Sequence, residues 1–135
     1  MILSFKEQFK KKILNGRKIH TIREDKLGRW KAGNIIQAAT GVRTKNYNCF
    51  FESVCLSTQS IKIEWINETH FTIHIDDNLK VSVFLNDKCQ FLVNDISFNP
   101  FEFLINDGFS SIEDFCNWFS EDFIGKIIHW TDKKY

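Results

Sequence analysis

Lys18, Thr21 and Arg23 stand close together in the stretch Gly16-Arg17-Lys18-Ile19-His20-Thr21-Ile22-Arg23. These side chains suit work on an anion or a carbonyl. A threonine hydroxyl is a weak nucleophile that needs a base beside it. A lysine serves as that base only where burial or neighbouring cations lower its pKa. An arginine holds polar groups through its fixed fork of donors. No His/His or metal-carboxylate pattern accompanies them, so no metal and no cofactor is expected. Hydrolysis of RNA itself is for the same reason the least supported chemistry.

The elements around these residues must bring them to one place. On a strand, residues two apart share a face. Thr21 and Arg23 therefore point one way from a strand predicted over Ile19–Glu24, while His20 and Ile22 point the other. Lys18 lies at the turn into that strand and can bend toward Thr21. Asn15-Gly16 ends the preceding helix, because Gly16 can take the left-handed conformation. Phe5, Phe9 and Ile13 recur every four residues on that helix and form its apolar face. Ser4-Phe5-Lys6-Glu7 has the S-x-x-E form of a capping box. A helix-to-strand junction of this kind holds side chains at the rim of a cleft. Each residue also has a plain structural use. Lys18 and Arg23 can be solvated charge, Thr21 an ordinary strand residue and His20 a strand residue on the far face.

The remaining chain reads as many short strands with helices near the end. Strands are expected at Met1–Phe5, Asn34–Thr40, 49–65, 70–75, Lys80–Leu85, Gln90–Val93 and Gly125–Trp130, with a turn at Asp76-Asp77-Asn78. Asn99-Pro100 opens a second helix, which ends at Asn106-Asp107-Gly108. Ser110-Ser111, with Glu113 and Asp114, caps a third that runs to about Phe119. The expected class is α+β: a small mixed β-barrel with about three flanking helices.

A chain of 135 residues fits one domain, and 14 phenylalanines with four tryptophans supply a large core. No apolar run approaches the roughly 20 residues that span a bilayer. The N-terminus has no leading charge and only a short apolar run, so no signal peptide is read there. The four cysteines form no CxxC pair, and reduced thiols in a cytoplasmic protein are the expectation. Net charge is +1, yet residues 1–45 hold twelve Lys/Arg against three Asp/Glu, a local +9. Either a basic patch awaits an anionic partner, or the two parts neutralise each other across the fold. Trp30 between Arg29 and Lys31, and Tyr47 near Lys45, are candidates to stack a base beside a basic groove.

The motif Gly-x-Lys-x-x-Thr-x-Arg after an N-terminal helix resembles the signature of the ASCH domain, a member of the PUA-like superfamily. Lys31-Ala32-Gly33-Asn34-Ile35-Ile36 resembles that family's Gly-Asp turn into a strand, with Asn34 in place of the usual Asp. Gly41-Val42-Arg43-Thr44 is similar to its Gly-x-Arg loop. Asp107-Gly108-Phe109, with the later pair Trp118-Phe119, is similar to its late acidic motif, and Ile127-Ile128-His129-Trp130 to its closing strand. The likeness covers one domain over 1–135, except for hairpins inserted around 60–95.

The resemblance implies a small PUA-like β-barrel with a cleft that binds RNA, a nucleotide or a modified nucleoside. Arg17, Arg23, Trp30, Arg43 and Lys45 are the binding residues expected on this reading. One branch of the family comprises amidohydrolases that remove the acetyl group from acetylcytidine. By that likeness Thr21 would attack the amide carbonyl, Lys18 would activate it and Asp107 would position or relay a proton. Asp107 stands where that branch has the longer Glu, and Asn-Asp-Gly is also a good helix-ending turn.

Overall fold

A computed structural model describes residues 1–135. Strand β1 (Ile2–Ser4) leads into helix α1 (Glu7–Leu14), then strands β2 (His20–Arg23), β3 (Ile35–Thr40) and β4 (Asn48–Val54). A meander follows: β5 (Ser57–Asn67), β6 (His70–Ile75), β7 (Asn78–Leu85) and β8 (Cys89–Val93). Helices α2 (Pro100–Asn106) and α3 (Ile112–Trp118) precede the last strand, β9 (Phe123–His129). The class is α+β, as the pattern of residues predicts. No helix is long and apolar enough to cross a membrane.

The strands form two sheets, of order β1-β3-β4 and β2-β9-β5-β6-β7-β8. They do not close into a barrel, which corrects that part of the expectation. No ladder joins either edge of the large sheet to the small one. Side chains join them instead: Leu3, Ile36 and Ala38 of the small sheet share one core with Ile22, Ile61 and Ile127 of the large sheet.

Local chemistry explains most elements. Asp76 and Asp77 both have positive φ, +51° and +64°, the requirement of a tight two-residue hairpin turn. The hairpin between β6 and β7 follows, with Ile75 opposite Asn78. The segment 60–95 lengthens the main sheet, and Ile61, Ile63, Phe71, Ile73, Val81 and Val83 are buried parts of the core. Residues 49–65 are two strands rather than one, broken at Cys55-Leu56. Asn99 caps α2 by accepting from the backbone N–H groups of Phe101 and Glu102, and Ser111 caps α3 through Asp114. The capping box at Ser4 does not form: Ser4 ends β1, and Lys6 stands at the cap without a side-chain bond. The helix starts later because Ser4 pairs with Ala39 in the parallel ladder, and Phe5 N–H donates to the Ala39 carbonyl.

Candidate functional site

Lys18 sits between two clamps. The backbone N–H groups of Arg17 and Lys18 both donate to the Lys12 carbonyl, which folds the chain back over the end of α1. Gly16 makes this reversal with φ +78°. One residue later, Ile19 N–H donates to the Asn106 carbonyl at 2.8 Å. The start of β2 is thereby tied to the end of α2, where Asp107 is the cap residue. Residues 89 apart in sequence meet: Lys18 Nζ lies 3.2 Å from Asp107 Oδ1 and also donates to the Asp107 carbonyl.

Lys18, Thr21, Arg23 and Asp107 line one cavity of about 300 Å³. Ser4 and Lys6 add polar groups, and Phe5, Phe9, Phe109, Trp118 and Phe119 form aromatic walls. The cations rest against those walls. Lys18 Nζ lies 5.0 Å from the Phe9 centroid, and the Arg23 guanidinium carbon lies 4.8 Å from that of Phe5, distances at which a ring quadrupole attracts a cation. Lys6 Nζ stands 5.0 Å from the ring centroid of Trp118.

Electrostatics follow from burial. Lys18 is only 3% exposed, so the solvated-charge reading fails for it. Burial pulls its pKa down, and Asp107 opposes that shift only in part. Arg23 is also shifted down by burial, but a guanidinium stays charged near neutrality. Arg23 Nε donates to the Thr21 hydroxyl at 3.3 Å and its Nη2 to the Ser4 carbonyl at 2.6 Å. Lys18 bonds to Asp107 rather than to Thr21. The arrangement can therefore grip a polar ligand between aromatic faces. It also offers a lysine whose proton is easier to remove than usual.

The other expected binding residues are spread out. Arg43 lines a wider surface groove with Tyr47, and Ser4 belongs to both the groove and the cavity. Lys45 is exposed on the same loop, and Arg17 is exposed with its backbone N–H on Asn15 Oδ1. Trp30 is a correction: it is 7% exposed and part of the core. The cause is Asp25, whose carboxylate accepts from the backbone N–H groups of Arg29 and Trp30 and draws the loop inward. A buried indole has no free face for a base.

His20 is the neighbour of Asp107 that strand alternation obscures. It does face away from Thr21, and it is fully buried. Its Nδ1 nevertheless meets Asp107 Oδ1 at 3.2 Å, because α2 ends behind β2. The aromatic walls were also hidden in sequence, since fourteen phenylalanines read alike as core. Cross-neutralisation of the basic N-terminal third is slight. Of the twelve lysines and arginines in residues 1–45 only Lys18 and Lys26 form ion pairs, and Lys26 does so with nearby Glu24. No cluster of three or more His, Cys, Asp or Glu side chains is placed to hold a metal ion. Compared with known proteins, the chain matches no family model, no curated protein and no solved structure.

Proposed function

We propose that the protein is an ASCH-like binding domain whose cavity takes a nucleoside-sized unit: a modified nucleoside, a nucleotide or an unpaired base of an RNA. The observation that carries this reading is the convergence of Lys18, Thr21, Arg23 and Asp107 on one aromatic-walled cavity. Its 300 Å³ falls at the lower end of small-molecule sites, which run from about 300 to 1,000 Å³. That size suits one base and sugar rather than a nucleic-acid groove. Aromatic walls supply stacking, and the two cations with Asp107 supply donors and an acceptor for ring and sugar edges. An RNA would insert one base and lay its backbone along the Arg43 and Tyr47 groove.

Titration with cytidine monophosphate, acetylcytidine and a short single-stranded RNA tests this. Arg23→Ala removes a charge-assisted contact worth about 1.5–3 kcal/mol, an affinity loss of roughly 10- to 150-fold. Lys18→Ala acts in the same direction, and RNA affinity falls with added salt. Absence of binding to all three probes, or unchanged affinity in Arg23→Ala, overturns the proposal.

One observation favours a second reading, hydrolysis of an N-acetylated cytidine or related small amide. A buried lysine of lowered pKa shares the cavity with a threonine and a carboxylate. In that reaction neutral Lys18 takes the Thr21 proton as Oγ1 bonds to the carbonyl carbon. The resulting ammonium returns a proton to the departing nitrogen, and water then hydrolyses the acyl-threonine. Lys18 must first swing from the Asp107 carbonyl toward Thr21. Release of cytidine from acetylcytidine, lost in Thr21→Ala, is the expected result, and no release above background refutes this second reading.

A further inference from the structure

We infer that His20, Tyr135 and Asn106 form a buried, one-directional hydrogen-bond relay that positions the Asp107 carboxylate, which makes His20 a positioning residue of the cavity. The inference rests on the reading that Asp107 faces a ligand.

The donors and acceptors admit one consistent order. Asp107 as a carboxylate offers only acceptors. His20 Nδ1, 3.2 Å from Asp107 Oδ1, must therefore carry the proton of the neutral ring. Nε2 is then a lone pair and must receive a hydrogen bond. The Tyr135 hydroxyl lies 2.8 Å from it and donates. Having donated its proton, the Tyr135 oxygen accepts from Asn106 Nδ2 at 2.9 Å. Every member of the chain is satisfied, and reversing any one bond leaves two donors or two acceptors facing each other.

The relay is anchored at its far end. Gln59 clamps the Tyr135 backbone twice: Oε1 accepts from Tyr135 N–H at 2.9 Å, and Nε2 donates to the Tyr135 carbonyl at 2.6 Å. Phe103 packs on both the His20 and Tyr135 rings, at 5.6 and 5.1 Å between centroids. Neutral forms suit the surroundings, since burial pushes the His20 imidazole pKa down and the Tyr135 phenol up. His20 and Lys18 both meet Oδ1 of Asp107, while Oδ2 takes no bond from the protein. The relay thus fixes one oxygen and leaves the other to the cavity that Asp107 lines. Nothing in an alternating strand requires a histidine at position 20. An apolar residue would bury there without needing two partners.

Long-range nitrogen NMR on the free protein at neutral pH reads the tautomer directly. Protonated Nδ1 and lone-pair Nε2 are expected, and the opposite tautomer or an imidazolium overturns the proposal whether or not any nucleoside binds. Two substitutions then separate positioning from packing. His20→Asn places an amide N–H where Nδ1 was, whereas His20→Gln places it near Nε2. Asn keeps acetylcytidine affinity near that of the parent, whereas Gln loses it by about tenfold, the effect of leaving a buried charged acceptor without its donor. Should acetylcytidine not bind the parent protein, the titration of Lys18 replaces affinity as the measure, and the nucleoside reading itself fails only if cytidine monophosphate and the RNA do not bind either. His20→Gln frees Asp107 Oδ1 for Lys18 and raises the lysine's midpoint, while His20→Asn leaves it in place. Equal behaviour of the two variants overturns the inference. If both fail to fold, Tyr135→Phe decides: it deletes the donor to Nε2 but keeps the ring, and an unchanged Nε2 shift in it is the refuting result.

Discussion

Gly108 is where the backbone and the site constrain each other most tightly. Its φ is +91°, and a Cβ built there would lie 2.9 Å from Lys18 Cδ and 2.9 Å from Phe9 Cδ1. Gly16 provides an internal control. It has φ +78°, yet a Cβ there meets nothing within 4 Å. Gly16→Ala therefore carries only the left-handed backbone penalty of about 1–2 kcal/mol, less roughly 0.4–1 kcal/mol recovered by restricting the unfolded chain. Gly108→Ala carries the same penalty and adds overpacking, typically about 1–3 kcal/mol. The expected difference between the two variants is that last quantity. In urea, with a slope of about 1–3 kcal/mol per molar, the Gly108→Ala midpoint falls below that of Gly16→Ala by roughly 1 M.

The clash also has a direction. Phe9 is a core residue with little room to move, so the lysine stem yields. Moving Cδ draws Nζ off Asp107, and the cavity loses its cation as the fold loses stability. Gly108→Ala should thus impair ligand binding in molecules that remain folded, while Gly16→Ala should not. Equal destabilisation of the two variants, within about 0.5 kcal/mol, would show that the contacts at Gly108 are loose. It would refute the argument that α2 closes directly onto Lys18.

Two further outcomes follow from buried polar groups outside the cavity. His129 is fully buried and is held down to about 3, mainly by burial and next by its closeness to His20 and to the Lys134 cation. Its unfolded value is 6.5. Between these values the unfolded chain binds the proton and the folded one does not, so stability is full above 6.5 and falls as the solution is acidified. By pH 5 His129 alone removes about 2 kcal/mol; urea midpoints that do not change from pH 7 to pH 5 would contradict this. Asp25 is the second case. Its carboxylate accepts from Arg29 N–H, Trp30 N–H and Lys126 Nζ at 2.8, 3.0 and 3.0 Å. Asp25→Asn turns an amide donor toward one of those donors, and a loss of about 2–4 kcal/mol is expected. Calorimetry checks it, and a change under about 0.5 kcal/mol would mean that the loop does not depend on this carboxylate.

Short-range chemistry made much of the fold legible. Capping residues Asn99 and Ser111, the stop at Gly16 and the Asp76-Asp77 turn all act within a few residues, and their reading survives folding. What the sequence hid depends on distance. The Ser4 cap was lost to a parallel pairing with β3, some 35 residues downstream in register. Trp30, surrounded by basic residues, looked like an exposed platform until Asp25 turned its loop inward. The open sheets depend on which strand edges meet, and no local pattern encodes that. Within the site, strand alternation pairs Thr21 with Arg23, but only the resemblance to the ASCH domain points to Asp107. Alternation gives His20 its correct face but not its partner Asp107. Alternation says which way a side chain points, not which helix end lies there.

The uneven charge along the chain takes on a division of labour. Most cations of the first third have no acidic partner: Lys10, Lys11, Arg17, Arg29, Lys31, Arg43 and Lys45 form no ion pair. Spread over the surface, they are screened within about 8–10 Å at physiological salt, so they act on the approach of an anion more than on its final hold. Lys18 and Arg23 differ in kind. They lie against aromatic rings that line a cavity, where screening is weaker than on the open surface. A desolvated cation is costly unless something opposite in charge or rich in acceptors stays with it. Asp107 meets that need for Lys18, and the Ser4 carbonyl with the Phe5 face meets it for Arg23. A cavity built this way is polar and walled by apolar rings at once, a combination that favours a flat ligand with polar edges over either an oil or a bare ion.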